Sequence, residues 1–172
     1  MSPHQKHYRA KMKRHGWMDE SGKYVWPENE EDRRKMARGL FGIELVSNAD
    51  YWLLLADDEL DGTHSAPWAS ADKKRQPDEM QRQQILATLS VEQRQAVRDL
   101  LRHTVKGELY SFCIALDRTL GGSTISIASP DKRPDRVEVH SPEQDELHCE
   151  QHQWLGDFSI LFGKDERYEQ EV

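Results

Sequence analysis

The chain has little of what most small, self-evident proteins are recognised by. Of its 172 residues only two are cysteine, Cys113 and Cys149, with no CxxC pair. That excludes a disulfide framework and the usual zinc ribbons and fingers. No window approaches the ~20 apolar residues that a membrane span needs, and no apolar run follows the basic N-terminus as a secretory leader would require. The reading is therefore a protein of the reducing cytoplasm. A glycine-rich phosphate loop and a GxGxxG turn are both absent. LGGSTIS around Ser123 lacks the second glycine of a nucleophile elbow, and its glycines read as a helix stop.

Apolar residues are also scarce. The hydrophobic share is 36%, the charged share 32% and the mean hydropathy −0.90, polar for a globular chain. Ten of the 34 Leu, Ile, Val and Phe residues lie in residues 1–84 and 24 in residues 85–172. The core is thus expected from the C-terminal half, with the N-terminal half wrapped around it or partly mobile. At this length, burial of roughly 70% of the unfolded surface supports one domain without a metal or disulfide.

What the chain does have is charge, sharply divided. The net charge is −7, yet residues 1–18 carry Lys6, Arg9, Lys11, Lys13 and Arg14 and no acid. A basic arm precedes an acidic body.

The pattern along the chain predicts an α+β fold, mostly helical, with a C-terminal hairpin and a small N-terminal one. Residues 1–27 read as arm and possible hairpin, with Trp17 packing on Tyr24 or Trp26 across DESGK; residues 28–172 read as one globular domain. Helices are expected over about 28–38, ended or bent by Gly39 and Gly42, and from Ser47 or Asn48 to Leu60, stopped by Gly62 with Trp52 toward the core. A polar loop, about 62–78, leads to a helix over 78–89. Ser90 opens a long helix with the capping box S-V-E-Q, in which Gly107 marks a bend or break. STISIAS and RVEVHS alternate like strands. The last helix starts with Ser141 as cap and Pro142 at its first position.

Three stretches carry candidate chemistry. In ELHCEQHQW, His148 and His152 stand four residues apart and share a helix flank, the geometry for two ligands of one ion. Cys149 points away from that flank, and the glutamate of the zincin pattern is missing. A third ligand (His140, His103 or His64) has no supporting spacing, so a solvated flank is the preferred reading and no cofactor is expected. In DDELDGTH, Asp57, Glu59, Asp61 and Gly62 fit the first positions of a calcium loop, but Trp68 stands where the bidentate glutamate belongs. These acids crowd a helix C-terminus against its dipole, at a cost of about 0.3–1 kcal/mol each. That placement hints that they face a basic partner, although an ordinary solvated helix end is the preferred reading. The arm, finally, could neutralise phosphates.

The function expected from these features is non-enzymatic: a cytoplasmic protein-binding protein, immunity- or inhibitor-like. It would engage a basic protein surface through Asp57, Asp58, Glu59 and Asp61, with Trp68 as aromatic anchor. The alternatives are a nucleic-acid-associated protein using Lys6, Arg9, Lys11, Lys13 and Arg14, and a metal-dependent hydrolase centred on His148 and His152.

Overall fold

The computed structural model describes residues 3–63, 76–119, 125–128, 136–140 and 147–162. The chain is α+β and mostly helical. Helices α1 (Pro3–Arg14), α2 (Glu30–Asp61), α3 (Gln76–Ala87) and α4 (Val91–Thr119) precede strands β1 (Ile125–Ala128) and β2 (Arg136–His140), and α5 (Leu147–Phe158) follows them. It groups into two compact units, residues 1–48 with 108–172 and residues 49–107, so the boundaries fall inside α2 and α4.

In the first unit the expected C-terminal hairpin is present. β1 and β2 pair antiparallel, Ser126 opposite Glu138 and Ile127 opposite Val137, with an irregularity at Ile125/Ser126. Val137 and Val139, two apart on β2, enter the same core. The N-terminal hairpin is a lone bridge, Met18 to Tyr24. Its turn is closed by the Asp19 carboxylate, which accepts from the Lys23 N–H at 2.9 Å, and by Gly22 at φ +85°. Trp17 makes no ring contact with Tyr24 or Trp26 among the described residues. Instead its ring stacks on His15 at 4.6 Å and lies 6.0 Å from Phe158.

The N-terminal segment contributes more to the core than the census of branched side chains implies. Residues 3–14 form helix α1 with Tyr8 and Met12 buried, and the cluster also takes Met18, Ala37, Ile43 and Val46 from before residue 48. Tyrosine, methionine and alanine supply four of these six side chains, and counting Leu, Ile, Val and Phe overlooks them. From the other side come Cys113, Leu147, Trp154, Leu155 and Phe158. A ring N–H of His7 donates to the Phe158 carbonyl at 2.8 Å, tying α1 to the end of α5.

The main departure is α2, which runs unbroken for 32 residues through both Gly39 and Gly42. The glycines do not stop it. They are the places where two tryptophans lie on its backbone: a Cβ at Gly42 would stand 2.5 Å from Trp154 Cδ2, and one at Gly39 would be closer still to the Trp17 ring. Asn29 caps the helix, its Oδ1 accepting from the Glu31 N–H at 2.8 Å. Gly62 ends it at φ +67°, with the Thr63 N–H returning to the Asp58 carbonyl at 3.0 Å.

In the second unit the box at the start of α4 forms as expected. The Gln93 N–H donates to Ser90 Oγ at 3.2 Å and Gln93 Oε1 accepts from the Ser90 N–H at 2.8 Å. Gly107 interrupts nothing, since α4 continues to Thr119. Leu53, Leu55 and Leu60 are buried, whereas Trp52, expected on the core face, is 53% exposed.

Candidate functional site

The acids at the end of α2 find basic partners within their own unit. Arg98 of α4 reaches back to α2, donating through Nε to Asp57 at 3.1 Å and through Nη2 to Asp61. Asp57 and Asp61 are one helical turn apart, so one guanidinium fork serves both. Arg102 adds a looser contact to Asp57 at 3.7 Å, and Arg82 of α3 holds Glu59 at 3.2 Å. Arg98 is only 15% exposed, and these two acids together hold its guanidinium above even its usual range. Three of the four carboxylates are therefore held by arginines that offset the dipole penalty, and these pairs bridge helices. Asp58 is the exception. It is exposed, and its carboxylate is met by the Thr63 hydroxyl at 3.5 Å. Trp68, the expected anchor, lies outside the described residues.

Beside these acids lies a cleft of about 520 Å³, walled by Glu59, Leu60, Asp61 and Thr63 from the end of α2, Met80, Gln83 and Gln84 from α3, and Arg94. Large apolar side chains stand out around this unit. Tyr51 and Trp52 are about half exposed and meet edge to face at 5.5 Å, while Met80, Ile85, Val91 and Leu100 are each more than half exposed.

On α1 the basic residues flank the solvent side, opposite the buried Tyr8 and Met12. Lys6, Arg9 and Arg14 are exposed, Lys11 is half-buried, and Lys13 is bound to the Glu20 carboxylate at 2.7 Å. Lys11, Lys13 and Arg14 occupy the last turn, where positive charge complements the helix dipole.

His148 and His152 do share a flank of α5, but a tyrosine stands beside them. The Tyr110 ring of α4 meets His148 edge to face at 5.7 Å and His152 at 6.2 Å. Nδ1 of His148 is engaged by Asp117 Oδ2 at 2.8 Å. Among the described residues no three His, Cys, Asp or Glu side chains gather as a metal would need.

Asp117 also accepts from the backbone N–H groups of Leu147 at 2.9 Å and His148 at 3.1 Å, capping α5 from another helix. The remaining ring nitrogen of His148, Nε2, then stands 3.6 Å from Cys149 Sγ. Helical spacing alone turned Cys149 away from the histidines. The thiol meets Nε2 because Asp117 fixes the adjacent ring, which a helical wheel does not register.

Asp117 and Tyr110 both lie on α4, 31 and 38 residues before His148, beyond the reach of any local motif. A signal for Asp117 existed: an acid four residues after the buried Cys113, on an apolar stripe, requires a donor. Comparison with protein-family models, curated proteins and solved structures finds no match for the chain.

Proposed function

We propose that the chain is a non-enzymatic protein-binding protein, immunity- or inhibitor-like, whose partner presents a basic surface to residues 49–107. The observation that carries this reading is apolar exposure. Tyr51, Trp52, Met80, Ile85, Val91 and Leu100 are all in this unit, and all are between 49% and 76% exposed. Burying such side chains against a partner at roughly 25 cal/mol per Å2 supplies binding energy, and half-exposed aromatics are the usual anchors. The cleft beside Glu59 and Asp61 suits a lysine or arginine side chain, whose stem would lie along Leu60 and Met80. The exposed Asp58 carboxylate would add attraction at long range and speed encounter. Both cysteines are thiols, which fits a cytoplasmic setting.

The test is capture of the partner from the organism that makes the chain, followed by binding of the isolated pair. Trp52→Ala with Met80→Ala should weaken binding at least tenfold, the loss expected of an anchor site. Asp58→Asn should slow association and flatten its salt dependence, leaving dissociation nearly unchanged. Binding that survives the double substitution unaltered would refute the reading.

A further inference from the structure

We propose that Cys149 is a modification site, a nucleophilic thiol for which His148 is the base and Asp117 the positioning residue, and that it exchanges with low-molecular-weight disulfides. Three observations converge on it. First, Asp117 is held in place: its side chain is 8% exposed, and its two oxygens accept from Leu147 N–H, His148 N–H and His148 Nδ1. A carboxylate only accepts, so the proton of the neutral imidazole sits on Nδ1 and Nε2 presents its lone pair. Second, that lone pair faces Cys149 Sγ at 3.6 Å, hydrogen-bond range for the larger sulfur. Third, Cys149 is exposed and lies in the first turn of α5, where the helix N–H groups favour a thiolate.

The incoming disulfide is itself the oxidant, and the exchange balances with it alone. Nε2 takes the thiol proton as Sγ attacks one sulfur of the incoming disulfide. The new S–S bond forms as the old one breaks, and the departing thiolate takes the proton from the imidazolium. The attacking sulfur is oxidised and the leaving sulfur reduced. Among the described residues, Tyr110 and His152 lie beside the pair, Glu150 follows it in the chain and is held by Arg38 at 2.6 Å, and Cys113 is near enough to Asp117 for the carboxylate charge to act on its thiol. Cys113, fully buried, is an internal control in the same chain.

The experiment uses the full chain and dithiobis(nitrobenzoate), which releases a coloured thiolate for each adduct, with the adducts mapped by mass spectrometry. The native protein should release one equivalent, all at Cys149, and Cys149→Ser none. A comparison with His148→Gln separates activation from mere access. At pH 6 the wild type should react about five-fold faster, because more of it is thiolate; at pH 9, with both thiols ionised, its less basic sulfur should be the slower by about three-fold. A structural role would scale both rates alike. Should His148→Gln fail to fold, Cys149 in the native wild type at pH 6 must outrun the same residue in the denaturant-unfolded chain. Equal rates at both pH values in either comparison, or faster labelling of Cys113, would overturn the proposal.

Discussion

Replacing Gly42 by alanine sets two known effects of opposite sign against each other, and the structure decides which wins. In an exposed helix interior, alanine is better than glycine by roughly 0.5–1 kcal/mol, through backbone entropy. At Gly42, however, the new Cβ would lie 2.5, 2.6 and 2.8 Å from Cδ2, Cγ and Cδ1 of Trp154. Ordinary contact begins near ~3.4 Å, so the ring must retreat by most of an ångström. It has little room, since Trp154 is 4% exposed, and the atoms struck are at the root of the side chain, which cannot swing clear. Overpacking of this kind costs about 1–3 kcal/mol, leaving Gly42→Ala destabilising by roughly 1–2 kcal/mol. Gly107 is the control. It is also helical, and among the described residues nothing outside its own stretch of helix comes within 4 Å of its would-be Cβ, so alanine there should stabilise by roughly 0.5–1 kcal/mol. Urea unfolding of the two variants should move the midpoint in opposite directions. A double-mutant cycle closes the argument: in a Trp154→Ala background, Gly42→Ala should become neutral or stabilising, a coupling of at least about 1.5 kcal/mol. If Gly42→Ala proves as favourable as Gly107→Ala, tryptophan packing is not why glycine stands in α2.

Two further predictions concern stability. Arg98→Ala should destabilise the chain by about 1–3 kcal/mol, because it leaves Asp57, itself 22% exposed, and Asp61 facing each other at a helix C-terminus; adding Asp57→Asn and Asp61→Asn should recover part of the loss in urea titrations, and no recovery would show that the charges are not what Arg98 balances. Burial, and after it the charge of Asp117, push the Cys113 thiol from 9.0 up to about 11, so the folded chain keeps a proton that the unfolded chain loses first. Its contribution is complete below pH 9 and is lost as the pH rises toward about 11; the urea midpoint of the wild type should therefore fall more steeply across that window than that of Cys113→Ala, and parallel slopes would refute the assignment.

Local signals in the sequence carried most of the element types. The S-V-E-Q box, the Gly62 stop and the alternation of β1 and β2 each act within a few residues, and each appears in the structure where its chemistry puts it. Gly39 and Gly42 misled for a physical reason. Glycine lowers helix propensity whether or not something fills the gap, and what fills it here comes from residues 17 and 154. The same holds for the acids of α2. Their adverse position at a helix C-terminus was visible, but it pointed to a separate basic partner or to plain solvent rather than to a group of this chain. Only the fold shows that Arg82, Arg98 and Arg102 of the same unit meet them.

His148 shows the most about how chemistry becomes legible. The i, i+4 spacing with His152 suggested a metal because spacing is what a sequence displays, yet a histidine's role depends on what each ring nitrogen meets. Asp117 answers for Nδ1 and, by capping α5 at the same time, fixes where the ring can point. A side chain that both terminates one helix and orients a residue on it couples fold to reactivity. Asp117→Asn would keep one of the cap's two acceptor oxygens while removing the charge beside Nδ1. Reactivity at Cys149 should therefore fall more than stability does, and the ratio of the two losses measures how far the aspartate serves the thiol rather than the helix.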